Sequence, residues 1–185
     1  MGGRKPGVRR TAAIAGVSGI VGRAIAGRLI NEGWKVVGLS RRPPDPAIPG
    51  LVHLPVDLAH REACRTVLAA GAVDATHVVF AGRAPDPDPA TEAALNTAML
   101  VNMVEALEAA RAPLAHVLLV QGTKWYGSQL GPFKTPAEED DPRVAVPNFY
   151  YDQQDWAEVR ARDAGWSWTG LRPHILAGFS LGYPH

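Results

Sequence analysis

Seven residues near the start of this 185-residue chain narrow its possible folds more than any others do. Gly16-Val17-Ser18-Gly19-Ile20-Val21-Gly22 follows a short apolar run, residues 11–15 (TAAIA). It opens a stretch in which Ile20, Ala24 and Arg28, beside Val21, Ile25 and Leu29, recur every four residues. The pattern is a strand that turns on glycines into a helix with one apolar stripe, the first half of a βαβ unit. Gly33 is placed to end that helix.

The alternation continues along the chain. Residues 34–39 (WKVVGL), 51–56, 76–81 (THVVFA), 113–120 (PLAHVLLV) and 166–171 (WSWTGL) are short apolar runs and are predicted as strands. Residues 61–70, 91–110 and 149–164 have a helical period; in the second of these Leu95, Met99, Met103 and Leu107 mark the apolar stripe. Residues 83–89 (RAPDPDP) hold three prolines and are predicted as loop, and residues 127–146 as a Pro- and Gly-rich connection. Pro147 and Asn148 start the last helix and Gly165 ends it. The predicted fold is α/β: a Rossmann-type doubly wound parallel sheet in three α/β/α layers, one domain over residues 1–185 with residues 1–10 as a tail.

Composition removes several classes of function. With 46% hydrophobic and 20% charged residues the chain is globular rather than disordered, and its 19 glycines and 16 prolines, lacking a G-X-Y period, mean turns rather than a fibre. The formal charge is +1, so no global field would hold the protein on nucleic acid or an anionic membrane; Arg4, Lys5, Arg9 and Arg10 read as a solvated tail. Cys64 is the single cysteine, and the six histidines show neither H-x-H nor H-x-x-x-H spacing, so no disulfide and no metal centre are expected. No apolar run approaches the ~20 residues of a spanning helix, and the start lacks a signal-peptide centre, so the expected location is cytoplasmic.

A glycine turn between strand and helix suits a dinucleotide. Gly16 makes the tight turn, Gly19 lets a phosphate approach the backbone, and Gly22 lets the helix pack closely, while the helix N-terminus offers N–H groups and partial positive charge. The end of the second strand reads Ser40-Arg41-Arg42. No carboxylate stands there to accept from a ribose 2′-OH, and two guanidiniums suit a 2′-phosphate, so NADPH/NADP+ is expected rather than NAD. Asp57, closing the third strand, is expected near the adenine or as a helix N-cap.

Short-chain dehydrogenases usually place a tyrosine four residues before a lysine on one helix, so that the cation lowers the phenol pKa. Four residues after Tyr126, Tyr150 and Tyr151 stand Leu130, Gln154 and Asp155, and Tyr183 is too near the end. That pair is absent. Of the lysines, Lys124 lies just past the fifth strand, at the carboxyl edge of the sheet where ligands bind; Lys5 and Lys134 do not. The helix beginning Asn148-Phe149-Tyr150-Tyr151 would pack beside that strand, so Lys124 and one of these tyrosines can be neighbours in space.

Gly16 to Gly22 (GVSGIVG), Ser40 to Pro43 (SRRP), Asn96 to Asn102 (NTAMLVN), Gly122 to Tyr126 (GTKWY), Gly131 to Phe133 (GPF), Asp141 to Arg143 (DPR), Asn148 to Tyr151 (NFYY), Asp155, Arg172-Pro173 and Gly178 to Ser180 (GFS) occur in that order. This set resembles the progesterone 5β-reductase and iridoid synthase family, an unusual branch of the extended short-chain dehydrogenases/reductases, over nearly the whole chain. The resemblance implies an NADPH-dependent reductase that adds hydride to the β-carbon of an α,β-unsaturated carbonyl. It assigns the catalytic roles to Lys124 and Tyr150, with Tyr126 and Tyr151 as packing residues. The expected cofactor contacts are Gly16, Ser18, Gly19, Ile20, Val21, Gly22, Ser40, Arg41, Arg42, Asp57, Leu58, Ala81, Gly82, Gln121, Tyr150, Pro173 and Ile175. The expected partner is a small-molecule carbonyl substrate, and a homodimer is left open.

The chain also departs from that family. Trp125 stands where histidine is usual, Gln121 where threonine is common, and Gln154 replaces an acid before Asp155. The family continues beyond its GFS motif into a segment that covers the substrate, which implies that this chain lacks the usual C-terminal substrate-binding segment. Two other readings stand beside the reductase: an NADP-binding module without turnover, such as a redox sensor, and a nucleotide-sugar epimerase or dehydratase, which the missing Tyr-x-x-x-Lys spacing disfavours.

Overall fold

The structure, a computed structural model, describes residues 10–178. Six strands, β1 (Thr11–Ala15), β2 (Lys35–Ser40), β3 (Leu51–Pro55), β4 (His77–Phe80), β5 (His116–Val120) and β6 (Ser167–Leu171), form one parallel sheet in the order β3-β2-β1-β4-β5-β6. Helices α1 (Ile20–Asn31), α2 (Arg61–Gly71), α3 (Pro89–Ala109) and α4 (Phe149–Ala164) supply crossovers, and a 3₁₀ turn, Thr123–Tyr126, follows β5. This is the doubly wound Rossmann arrangement, and its winding reverses between β1 and β4, where such sheets open a crevice at their carboxyl ends.

Small residues in β1 explain its central place. All five are buried, and their size lets neighbouring layers close on both faces. On one face Ala13, Val37, Val78, Val117 and Leu119 pack with Leu68 of α2, Leu100, Met103 and Leu107 of α3 and Ala157 of α4. On the other, Ala12, Ile14 and Val36 pack with Ile25, Ala26 and Leu29 of α1. Leu68, Leu100, Met103, Leu107 and Leu119 are fully buried while Ile25 and Leu29 are partly so, and full burial of such a side chain stabilises by about 1.5–3 kcal/mol. No helix among the described residues is long and apolar enough to cross a membrane.

The differences from the predicted boundaries have local causes. Trp34 was expected to open the second strand, but its N–H bonds to the Leu29 carbonyl at 3.0 Å while Gly33, at φ +82, bonds to Ile30 at 2.9 Å. That double closure ends α1, so β2 begins at Lys35. The fifth strand begins at His116 rather than at residue 113, because Pro113 has no N–H and the N–H groups of Ala112 and Leu114 close turns onto Leu107 and Ala112. Arg10 was assigned to the tail, yet its guanidinium lies 5.3 Å from the centre of the Trp34 ring and its carbonyl accepts from Lys35. Arg4, Lys5 and Arg9 lie outside the described residues.

Pro89 was expected in the loop and is instead the first residue of α3, where a missing N–H costs nothing. Asp88 is the N-cap, its carboxylate accepting from the Thr91 N–H at 2.9 Å and from the Thr91 hydroxyl at 2.7 Å. The Thr91 hydroxyl, then its backbone N–H, hold the Asp88 carboxyl below its usual pKa. The cap therefore contributes stability above the unfolded carboxylate pKa and loses it as pH falls through the lower folded value. Urea midpoints measured from neutral to acid pH are expected to converge between wild type and Asp88→Asn at the acid end; parallel curves would contradict this.

Candidate active site

The glycine turn is built as its sequence suggests. Gly16 has φ +74, a region costly for residues with a side chain, and an added Cβ would lie 2.5 Å from the Ala81 carbonyl oxygen. The turn is thus pressed against the end of β4, which brings Gly16, Ala81 and Gly82 together at the winding reversal. An added Cβ on Gly22 would lie 2.3 Å from the Gly16 carbonyl oxygen, so α1 packs directly on the turn. Gly19 is the N-cap of α1 and supplies no side-chain cap, leaving the first-turn N–H donors for an acceptor from elsewhere. Those features fit a pyrophosphate.

Beside the turn, Ser18 and Ser40 hydroxyls are 3.2 Å apart, and Ser40 also donates to the Arg42 carbonyl at 2.7 Å and meets His53 Nε2 at 3.0 Å. These bonds join the ends of β1 and β2 and fix the backbone from which the exposed Arg41 and Arg42 project. Asp57 is not the N-cap of α2; that position is His60. Its carboxylate instead accepts from the Ala59 N–H at 3.0 Å, closing a short turn two residues after β3. Leu58 is 5% exposed, within the core, and its carbonyl accepts from Asn102 Nδ2 at 2.9 Å.

Asn148 connects the two residues of greatest chemical interest. As N-cap of α4 its Oδ1 accepts from the Tyr150 N–H at 3.1 Å, and its Nδ2 donates to the Lys124 carbonyl at 2.9 Å. The turn carrying Lys124 and the helix carrying Tyr150 are thus separated by one asparagine side chain. Replacing Asn148 by alanine is expected to cost about 1–2 kcal/mol in urea unfolding; a loss below about 0.3 kcal/mol would show that this cap is not needed.

The other described lysines are committed elsewhere. Lys35 holds both Asp74 oxygens at 2.9 and 3.0 Å, and Lys134 is paired with Glu138 and Asp141. The Lys124 ammonium and the Tyr150 hydroxyl make no hydrogen bond among the described residues. An added Cβ on Gly122 would lie 3.5 Å from that hydroxyl and 3.6 Å from the Pro173 carbonyl oxygen, so Tyr150 and Pro173 both lie against Gly122, just past β5. Burial pushes the Tyr150 phenol above its ordinary pKa, with the Arg83 cation opposing and Glu92 adding to the rise.

Arg83 carried no role in the sequence expectations. It lies just past β4, paired with Glu92 at 2.6 Å, and the available signal was its place at the sheet's carboxyl edge. Gln121 is 3% exposed and is engaged within the protein: its Nε2 donates to the Tyr150 carbonyl at 3.0 Å. Ile20 and Gly178 approach closely, since an added Cβ on Gly178 would lie 2.5 Å from Ile20 Cγ2. The segment after β6 therefore returns over the start of α1, with Ile175 77% exposed. Tyr151 packs as expected, its hydroxyl bonded to the Trp125 carbonyl and accepting from the Val144 N–H. Phe179 and Ser180 lie outside the described residues.

Comparison with known proteins bears on the family and the fold. Residues 61–182 match the PRISE-like Rossmann-fold domain. An (S)-8-oxocitronellyl enol synthase of Camptotheca acuminata is 34% identical, over 91% of this chain and 47% of that protein. The 3-oxo-Delta(4,5)-steroid 5-beta-reductase of Arabidopsis thaliana is 33% identical over the same shares, 91% and 47%. The chain spans about half the length of the curated relatives it matches. Among solved structures, UDP-glucose 4-epimerase from Brucella ovis in complex with NAD superposes with a TM-score of 0.75 at 15% identity, over 95% of this chain and 58% of that one. The Bordetella bronchiseptica enzyme WbmH in complex with NAD+ gives 0.67 at 22% identity, over 88% and 55%. At those identities the likeness concerns the fold. The family match and the sequence relatives go further: the chain belongs to the PRISE-like Rossmann-fold family, that of the progesterone 5β-reductases and iridoid synthases.

Proposed function

We propose that this chain carries the cofactor-binding and catalytic part of an NADPH-dependent short-chain dehydrogenase/reductase acting on a small α,β-unsaturated carbonyl compound. The observation that carries the reading is the joining of Lys124 and Tyr150 through Asn148, with both reactive ends uncommitted among the described residues. NADPH, when bound, supplies the hydride added to the β-carbon. That addition places negative charge on the carbonyl oxygen, which the Tyr150 O–H and the Lys124 ammonium, carried by the two segments that Asn148 joins, are suited to receive. The raised phenol pKa keeps the proton on Tyr150 at neutral pH, as a hydrogen-bond donor requires.

Cofactor choice rests on Arg41 and Arg42, both exposed at the end of β2 with no carboxylate at that position. Removing both as alanines is expected to weaken NADPH binding roughly 10- to 100-fold and to leave NADH binding as it was. Quenching of tryptophan fluorescence measures both; equal wild-type affinity for the two cofactors would overturn the assignment.

A cofactor-binding module without turnover is the second reading, favoured by the open side of the site at Ile175, since an open site does not exclude water. It predicts NADPH binding with no oxidation when an enone is added. An epimerase mechanism lacks support despite the structural likeness, because position 154 is glutamine, bound to Glu158.

A further inference from the structure

Arg172, one residue past β6, gathers Gln121, Trp125 and Gln154 around its guanidinium. Its guanidinium carbon lies 3.6 Å from the centre of the Trp125 ring. Nε donates to Gln121 Oε1 at 3.3 Å and Nη2 to Gln154 Oε1 at 3.1 Å. Nη1 donates to the Tyr126 hydroxyl at 3.2 Å and to the Glu139 carbonyl at 3.3 Å. The same Gln154 oxygen accepts from the Trp125 indole N–H at 3.2 Å. Trp125 is 3% exposed, with the rings of Tyr126 and Tyr151 edge-on at 5.1 and 5.3 Å. Arg172 forms no ion pair among the described residues and is held by neutral acceptors and a ring face.

These partners belong to four segments: the end of β5, the Thr123–Tyr126 turn, the connection after it, and α4. Lys124 directly precedes Trp125, and Gln121 reaches from Arg172 to the Tyr150 carbonyl. A planar guanidinium can stack on a ring while donating in its own plane, which a lysine ammonium cannot do. Tryptophan at 125 supplies the ring face. Glutamine at 154 supplies an oxygen that can serve the indole and the guanidinium together, and glutamine at 121 relays the contact to the helix.

We propose that Arg172 is a positioning residue: seated on Trp125 and bonded to Gln121 and Gln154, it fixes the turn that carries Lys124 relative to the helix that carries Tyr150. Its catalytic consequence rests on the reading of Lys124 and Tyr150 as the reacting pair.

The test compares Arg172→Lys and Arg172→Ala with wild type in three measurements. The near-ultraviolet circular dichroism of Trp125, identified by its loss in Trp125→Phe, is expected to be lost in both variants. NADPH affinity is expected to stay within about twofold while turnover of 2-cyclohexen-1-one falls about 100-fold, in kcat rather than KM. Added guanidinium ion is expected to restore turnover to Arg172→Ala. Wild-type turnover and dichroism in Arg172→Lys, or a loss of NADPH affinity that matches the loss of turnover, would overturn the proposal. If the wild-type chain itself shows no turnover, the catalytic reading fails while the clamp does not. The dichroism then decides the clamp alone: lost in Arg172→Lys it stands, retained it falls.

Discussion

Replacing Gly16 by alanine is expected to cost about 3 kcal/mol or more, a large share of the 5–15 kcal/mol that holds a typical domain together. Two penalties combine. The residue would be held at φ +74 with a side chain, and its Cβ would meet the Ala81 carbonyl oxygen at 2.5 Å, backbone against backbone, where no rotamer change relieves the contact. Gly22→Ala should be similarly damaging, since its Cβ meets the Gly16 carbonyl oxygen at 2.3 Å. Gly27 lies in the same helix with nothing within 4 Å of an added Cβ, so Gly27→Ala should stabilise by about 0.5–1 kcal/mol. Urea midpoints for the three variants separate a helix-propensity effect, common to Gly22 and Gly27, from the steric one. A Gly16→Ala protein as stable as wild type would show that the turn and β4 are not packed as described.

On the proposed reading, Tyr150→Phe and Lys124→Ala should each lower enone turnover about 100-fold or more while changing stability little. The phenylalanine variant keeps the ring, which packs edge-on against Phe149 at 4.4 Å, and removes only the hydroxyl. Lys124→Ala removes an ammonium that makes no hydrogen bond or ion pair among the described residues. Because the two act on one developing charge, the double variant should be scarcely slower than either single one. Rates within about threefold of wild type in either variant would remove that residue from the reaction.

Local signals made much of the fold legible. Thr11–Ala15 and Phe149–Ala164 coincide with their predicted ranges because Gly16, Asn148 and Gly165 punctuate them by backbone chemistry that a sequence displays directly. The starts of β2 and β5 were less legible, since the N–H groups of Trp34 and Ala112 close helix ends and that of Leu114 closes a turn. Asp57 illustrates the same difficulty: an acid before a helix can cap it or close its own turn, and only the path of residues 57–60 decides. The joining of the turn that carries Lys124 to the helix that carries Tyr150 could be reasoned from strand order, because adjacent crossovers deliver their ends to one edge. The Arg83 charge acting on Tyr150, and the placement of Trp125, Gln121 and Gln154 around Arg172, could not. Those relations join residues from separate segments through side-chain directions that no spacing encodes.

The central claim is conjugate reduction by NADPH, and the position of the transferred hydrogen tests it most directly. The chain is incubated with NADPH deuterated at the nicotinamide C4 and with 2-cyclohexen-1-one, and the product is examined by mass spectrometry and NMR. The account predicts a saturated ketone with deuterium at the β-carbon, formed by wild type and about 100-fold or more slowly by Tyr150→Phe. Deuterium on the carbonyl carbon of an alcohol, or recovery of unchanged enone and cofactor, would contradict it.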